Sequence, residues 1–396
     1  MREGWTYKKL GEITKVINGL WIGKKPPLKT VAVIRNTNFT KDCKLSTTNI
    51  AYIDVEEKQF EKRRLLQGDI IIEKSGGSEK QPVGRPILFN LIGGEFSFSN
   101  FTSVIRIDNP NEIISSFLHL ALYGAYLRGE TLKMQAKTTG IHNLDFKAYN
   151  RILIPIPSLQ EQQQIVSELD LLSSVIEKQK AQIEDLDKLA QSIFYDMFGD
   201  PVENEKGWEV KKLGILCEIG TGATPSRTKE DLYYGGNIPW VKTTEVCYQD
   251  IYDTEEKITP LAIKETNCKV YPVGTLLMAM YGQGKTRGQV AKLMVEAATN
   301  QACAAIQVDN KIIHIDYLYA LMIIKYDSIR AMAQGGNQAN LNMKLVGSIP
   351  VPIPPLSLQQ EFADKIQAIE SMKAKVRQSL KESETLFNSR MDYYFN

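Results

Sequence analysis

The chain says nearly the same thing twice. "LIPIPSLQEQQQIV" begins at Leu153, and "SIPVPIPPLSLQQEFA" begins at Ser348. An offset of 197 residues lays Pro155 on Pro352, Pro157 on Pro354, Leu159 on Leu356, and Gln162 and Gln163 on Gln359 and Gln360. The same offset carries Asn143, Leu144 and Lys147 onto Asn340, Leu341 and Lys344. An ungapped match of this kind predicts an internal duplication, which constrains the architecture before any single motif does.

Further echoes extend the repeat. "GWTYKKLGEIT" at Gly4 answers "GWEVKKLGILC" at Gly207, and "QGDIIIEKSGGS" at Gln67 answers "VGTLLMAMYGQG" at Val273. "SVIRIDN" at Ser103 answers "AAIQVDN" at Ala304, and helix-like apolar stretches follow from Ile113 and Ile315. Each copy reads as short strands, an apolar helix, a polar Gly/Thr/Asn loop, the Pro-x-Pro element and a long last segment. The offset drifts between copies, so loops have gained and lost residues. A shared scaffold with divergent loops predicts two related but different binding surfaces.

The last segment of each copy is a rod. From Pro157 to Phe198 there is neither proline nor glycine after the first position. Ile165, Leu169, Leu172, Ile176, Ile183, Leu186, Ile193 and Met197 recur at alternating steps of four and three, with Gln179 and Ala190 completing the series. That is a heptad seam. Phe362, Ile366, Ile369, Val376, Leu380, Phe387 and Tyr394 hold the same register, interrupted by Lys373, Ser383 and Arg390. Pro-x-Pro imposes an extended approach to each helix. Ser158 is the expected N-cap with Glu161 closing a capping box, and "FGDP" from Phe198 ends the first helix. About 40 residues give a rod of roughly 60 Å. A lone rod would leave its seam wet, so the two are expected to pair, and antiparallel pairing keeps the globules apart. Tandem copies on antiparallel rods are related by an approximate two-fold axis, as is duplex DNA. A dimerising coiled coil with no DNA role has the same periodicity.

With 396 residues the chain exceeds one ordinary core. "MREGWTYKKLGEI" lacks the apolar stretch of a signal peptide, and the longest apolar runs fall far short of a bilayer span. Cys43, Cys217, Cys247, Cys268 and Cys303 are widely spaced and odd in number, which disfavours a disulfide framework or zinc site and fits a reducing cytoplasm. A formal charge of +2 neither demands nor excludes nucleic acid; any basic stripe is local.

The sequence resembles the specificity (S) subunit of Type I restriction–modification systems. The resemblance covers nearly the whole chain. It is carried by the two P-x-P-x-L-x-x-Q-Q elements, by "GWEVKKLGILCEIGTGATPSRTKEDLYYGGNIPWVKTTEV" from Gly207, and by "QGGNQANLNMKL" from Gln334. It implies an α+β fold of two tandem target-recognition domains, residues 1–157 and 199–354. Each is followed by a long helix, residues 158–198 and 355–396, the helices pairing as an antiparallel coiled coil. Each domain is expected to read one half of a bipartite double-stranded DNA target. The helices are expected to set the spacer and dock two adenine-methyltransferase subunits, through which two restriction subunits join where present. No cofactor is implied for this chain; S-adenosylmethionine serves the methyltransferases, and ATP and magnesium a restriction subunit. The first copy departs from the family pattern: "VINGLWIGKKPP" stands where the second has Gly222 to Ser226, and "SGGSEKQPVGRP" is longer. The departure bears on the target, not the class.

Catalytic motifs are missing. Gly284-Lys285-Thr286 looks like the end of a P-loop, but Ala279 stands where that motif wants glycine. Asp69, Glu73 and Lys74 have nearly nuclease-like spacing, yet adjacent strand residues point to opposite faces and cannot share a metal. The histidines His119, His142 and His314 are isolated. A self-contained nuclease and a coiled-coil adaptor without base readout are the rival readings.

Base readout needs Arg, Lys, Asn or Gln at base edges, with small and hydroxyl residues near phosphate. After the apolar strand the first copy offers Lys74, Ser75, Ser78, Lys80 and Arg85; the second offers Tyr281, Gln283, Lys285, Thr286 and Arg287. Before Pro-x-Pro stand Lys137, Thr138, Thr139 and His142, then Gln334, Asn337 and Gln338. Lys24, Lys25, Thr224, Ser226 and Arg227 complete the set.

Overall fold

The computed structural model describes residues 2–21, 25–79, 81–138, 141–282, 284–333 and 340–396. Its chain divides into two compact units, Met1–Gln179 with Ser379–Asn396, and Lys180–Gln378. The first unit centres on a four-stranded antiparallel sheet in the order Thr14–Asn18, Thr102–Ile107, Ile70–Glu73, Pro86–Leu88. The second unit repeats it with Cys217–Thr221, Cys303–Val308, Leu276–Ala279 and Val290–Lys292.

The central runs Ile70–Ile72 and Leu276–Ala279 are apolar because both faces are covered. Ile70 and Ile72 face one cluster with Ile105, Phe117 and Leu118, while Ile71 faces another with Val104 and Phe98. Leu276 and Met278 divide from Leu277 and Ala279 in the same way. This is period-two alternation between two buried sides. Each unit adds a second small sheet, Ala51–Glu56/Leu28–Ile34/Phe96–Phe98 in the first and Lys257–Ile258/Tyr234–Val241/Ala297–Thr299/Val270–Tyr271 in the second. The chain turns into this second sheet at Gly19 and Gly222. A Cβ there would lie 1.8 Å from the Ser99 carbonyl oxygen and 1.7 Å from that of Thr299, so only glycine fits.

The two repeated motifs turn out to be each other's partners. Thr6–Lys9 pairs antiparallel with Leu153–Ile156, and Glu209–Lys212 with Pro350–Ile353. The prolines sit on two-stranded ribbons, where a missing N–H is tolerated. Just beyond lies Gln162, fully buried. Its Nε2 donates to the Pro157 and Glu112 carbonyls at 3.0 and 2.9 Å, and its Oε1 accepts from the Ile114 N–H at 3.0 Å. Gln359 repeats this with Pro354, Ile312 and His314 at 2.8, 3.4 and 2.8 Å. One buried amide thereby fastens each long helix to the start of its apolar helix.

The long helices span Leu159–Phe198 and Leu356–Phe395. Ser158 Oγ accepts from the Glu161 N–H, while the Trp5 indole N–H donates to Glu161's carboxylate. Gly199, with φ +75°, follows the last helical residue. Ile165 and Leu169 are buried, and Leu172, Ile176, Ile183, Leu186 and Ile193 half-buried. Phe362 and Ile369 are buried, and Ile366, Val376, Leu380 and Phe387 half-buried. Within the first unit Glu168 meets Arg390 and Tyr394, and Gln179 meets Ser379, so the helices run antiparallel there. Within the second unit Asp187 meets Lys373, and Phe194 meets Phe362, in the same sense. Lys373 lies on the seam, buried, with Asp187 and Glu370 each 2.6 Å from its Nζ. Such a polar seam residue specifies register at some cost in stability.

Candidate nucleic-acid interface

In the first unit the glycine-bearing loop and the loop before Pro-x-Pro form one sheet. Ser75–Gly77 pairs with Ile141–Leu144, which pairs with Gln135–Thr138. Ser75 Oγ donates to Asn143 Oδ1 at 2.6 Å, and the Leu144 N–H donates to the Lys74 carbonyl at 2.8 Å. Ser75 and His142 therefore stand on adjacent strands, Lys74 immediately precedes the first, and the backbones of Lys137 and Thr138 lie on the third. His142 Nδ1 is enclosed without a partner. Ser78 closes the neighbouring turn with Gln81, at 2.7 Å through its N–H and 3.1 Å through its Oγ. Lys25 is exposed on a separate loop, its N–H on Glu56. Lys24, Lys80, Thr139, Gln283, Gln334, Asn337 and Gln338 lie outside the described residues.

Arg85 requires a correction. It is 5% exposed, its Nε donates to Glu73 Oε2 at 2.7 Å, and its Nη1 donates to the Phe39 and Thr40 carbonyls at 3.3 Å. A buried guanidinium so satisfied does not reach out to a base; leaving would strand Glu73 in the interior. Asp69 is likewise occupied, gripped by Arg106 through two bonds of 2.7 Å. These acids are structural counter-ions. Among the described residues no group of three or more His, Cys, Asp or Glu side chains is arranged to hold a metal. His119 is interior, its Nε2 3.3 Å from the Pro86 carbonyl, and burial pulls its pKa down to about 4, so it stays neutral.

In the second unit the loop after Leu276–Ala279 turns on Gly282, Gly284 and Gly288, all with positive φ. Tyr281 and Lys285 are exposed, Thr286 and Arg287 half-buried. Arg287 Nε is enclosed without an acceptor. The Leu341 N–H donates to the Met280 carbonyl at 3.0 Å, repeating the Leu144–Lys74 bond. The described flanks of the two loops, Met280 and Leu341, thus meet in this copy also. Among the described residues neither Lys74 nor Lys285 makes an ion pair, so both charges are free to meet phosphate.

The Gly222–Ser226 turn is held differently. Thr224 Oγ1 donates to the Gln301 side chain, and Ser226 caps the next turn by accepting from the Thr228 N–H. Arg227 lies over the Tyr234 ring at 4.0 Å and pairs with Glu230 and Glu256 at 2.8 and 2.5 Å. Exposed pairs of this type are worth little, so Arg227 exchanges partners cheaply. Sequence reasoning passed over Asn36, whose Nδ2 lies 3.5 Å from the Ser75 carbonyl, and Asn143. Neither stands out in composition; the offset of 197 did place Asn143 opposite Asn340.

Among the described residues no helix is long and apolar enough to cross a membrane. The family model described as Type I restriction modification DNA specificity domain matches residues 2–186 and 205–382. The chain is 24% identical over 286 residues to the Type I restriction enzyme MjaIX specificity subunit of Methanocaldococcus jannaschii, covering 68% of this chain and 65% of that protein. It is 23% identical over 256 residues to the EcoR124I/EcoR124II specificity subunit of Escherichia coli, covering 62% of each. The matched stretch therefore spans somewhat under two thirds of these relatives. With the StySPI specificity subunit of Salmonella potsdam it shares 21% identity over 98% of this chain and 86% of the relative. The fold is similar to that of the S subunit of a Type I restriction–modification system from M. genitalium. There the TM-score is 0.57 at 15% identity, over 99% of this chain and 96% of that one. A chain from a structure on complex assembly and conformational transition of the type I R-M system gives 0.58 at 17% identity, over 100% and 98%. With the family model matching both copies, the chain belongs to the Type I restriction–modification DNA specificity domain family.

Proposed function

We propose that this chain is the non-catalytic, DNA-reading subunit of a Type I restriction–modification complex. Residues 1–157 and 199–354 each read one half of a bipartite double-stranded target. Residues 158–198 and 355–396 set the spacer and dock two adenine-methyltransferase subunits, and through them restriction subunits where present. S-adenosylmethionine binds the methyltransferases, ATP and magnesium the restriction subunits, and the complex works in the cytoplasm.

The observation that carries this reading is the meeting, in each copy, of the glycine-bearing loop with the segment before Pro-x-Pro. Both loops diverge in sequence while their shared anchoring bonds do not. Arg287 adds support: its enclosed Nε lacks an acceptor, a deficit that turning toward a base or phosphate removes.

The test is the methylome of cells carrying the chain with its methyltransferase. Arg287→Ala is expected to relax one half-site only, a bidentate base contact being worth about 1–3 kcal/mol. Change in both half-sites overturns the modular reading. Mass measurement of the assembled complex is expected to give two methyltransferase subunits per chain; one that methylates both strands overturns the docking scheme.

A further inference from the structure

The apolar helix of each copy ends beside a tyrosine that the DNA-reading assignment leaves without a role. Tyr126 stands twelve residues after Ile114, whose amide Gln162 holds, and Tyr326 twelve residues after His314, whose amide Gln359 holds. They are therefore counterparts in the duplication. Tyr326 donates its phenolic proton to the Lys285 carbonyl at 2.5 Å. Tyr126 donates its own to the Pro82 carbonyl at 3.4 Å. Lys285 lies in the glycine-bearing loop of the second copy, and Pro82 in the corresponding loop of the first. Gly84 and Gly288 mark that correspondence: the Gly84 N–H donates to the Glu73 carbonyl and the Gly288 N–H to that of Ala279, both at 2.8 Å.

The second copy reinforces the device. Arg330 Nη1 donates to Tyr326 Oη at 2.6 Å and to the Arg287 carbonyl at 3.4 Å. The Tyr248 ring meets that of Tyr326 edge-on at 5.9 Å. Gly288 passes beneath, where an added Cβ would lie 3.3 Å from Arg330 Cγ and 3.6 Å from the Tyr326 ring. Tyr326 thus grips the loop at Lys285, and Arg330 at Arg287, two of the residues expected to read DNA. In the first copy burial pushes the Tyr126 phenol up to about 12, so the donor keeps its proton through the physiological range.

We propose that Tyr126 and Tyr326 are positioning residues, one per recognition domain, whose hydroxyls hold the glycine-bearing loop in its DNA-reading shape. Its glycines open many backbone conformations to the loop, so a carbonyl clamp from a helix removes alternatives before DNA arrives. Neither tyrosine need touch DNA. The proposal rests on the DNA-reading function above and adds to it the groups that preorganise each reader.

The experiment uses the full chain with its methyltransferase and compares Tyr126→Phe, Tyr326→Phe and Arg287→Ala by methylome. Tyr326→Phe is expected to lower discrimination roughly tenfold in the half-site that Arg287 reads, the loss of one well-made contact. Tyr126→Phe is expected to do so in the other half alone. Trypsin cleavage after Lys285 and Arg287 is expected to speed up several-fold in Tyr326→Phe, because the loop opens more often. Thermal midpoints are expected to stay within about 2 °C of the parent. Unchanged half-sites and cleavage in the tyrosine variants, beside an altered half-site in Arg287→Ala, overturn the positioning role alone. No half-site effect from Arg287→Ala overturns the reading on which the proposal rests. Loss in both half-sites with a lowered midpoint assigns the tyrosines to general stability and overturns the proposal.

Discussion

Tyr394 donates its phenolic proton to Glu168 Oε2 across 2.6 Å, joining residues 226 positions apart inside the first unit. Arg390 Nε donates to the other oxygen of that carboxylate. The Arg390 bond holds Glu168 below the usual glutamate range, against the opposing pull of desolvation and with help from Tyr394. A carboxylate depressed in the folded state contributes stability above its unfolded pKa and loses it as pH falls through the folded value.

Glu168→Gln is therefore expected to lower stability at neutral pH by a small amount, below about 1 kcal/mol, since the pair is partly solvated. The gap closes as pH drops below the ordinary glutamate value and through the depressed one. Melts of both chains from about pH 7 to about pH 3 check this. A gap that persists in acid assigns the effect to packing instead.

Gln162→Leu and Gln359→Leu are expected to be costly to similar degrees. Each strands a buried N–H and two carbonyls, and an unsatisfied buried group costs about 1–3 kcal/mol. Hydrogen exchange at the Ile114 and His314 amides reads the two joints separately. Protection lost at one joint while the other is unmoved is the expected result.

The buried Glu73–Arg85 pair has a natural control inside the same chain. Ala279 and Gln289 occupy the corresponding backbone stations, linked N–H to carbonyl at 2.9 Å as Glu73 and Arg85 are at 3.0 Å. Glu73→Ala alone is expected to cost about 3–5 kcal/mol, because Arg85 is left charged in the interior. Adding Arg85→Gln is expected to recover most of that loss. Denaturant titrations of the single and double variants decide it.

Inserting four residues beside Gln182 and four near Lys375 tests whether the long helices act as a ruler. Each helix lengthens by about 6 Å and turns about 400°. At about 3.4 Å per base pair the half-sites are expected to move apart by roughly two base pairs, with the bases read unchanged. A fixed spacer with surviving activity makes the helices a brace.

Periodicity exposed the parts of the fold that repeat. The heptad positions Ile165 to Ile193 and Phe362 to Phe387 were readable because a seam must recur every three or four residues whatever it packs against. The motif around Gln162 and Gln359 was equally visible, but its reason was not. An amide reaching from a helix start to carbonyls some fifty residues upstream has no local sequence sign. Arg85 misled for the same reason. In sequence it is a loop arginine beside glycines, and only the strand pairing brings it onto Glu73. Tyr126 and Tyr326 hid at the ends of apolar helices, where a tyrosine looks like one more packing residue.

The first unit is discontinuous, closing only when Ser379–Asn396 joins Met1–Gln179. Met391 and Phe395 belong to the same buried cluster as Phe117 and Leu169, the Phe395 ring lying 5.3 Å from that of Phe117. During synthesis those two side chains leave the ribosome after the whole of Lys180–Gln378. In a nascent chain the first unit therefore stays unsealed until Ser379–Asn396 has been made. Translation that stalls before Met391 yields a molecule with an apolar wound in its first half. That surface is withdrawn once Met391 and Phe395 have been made and packed.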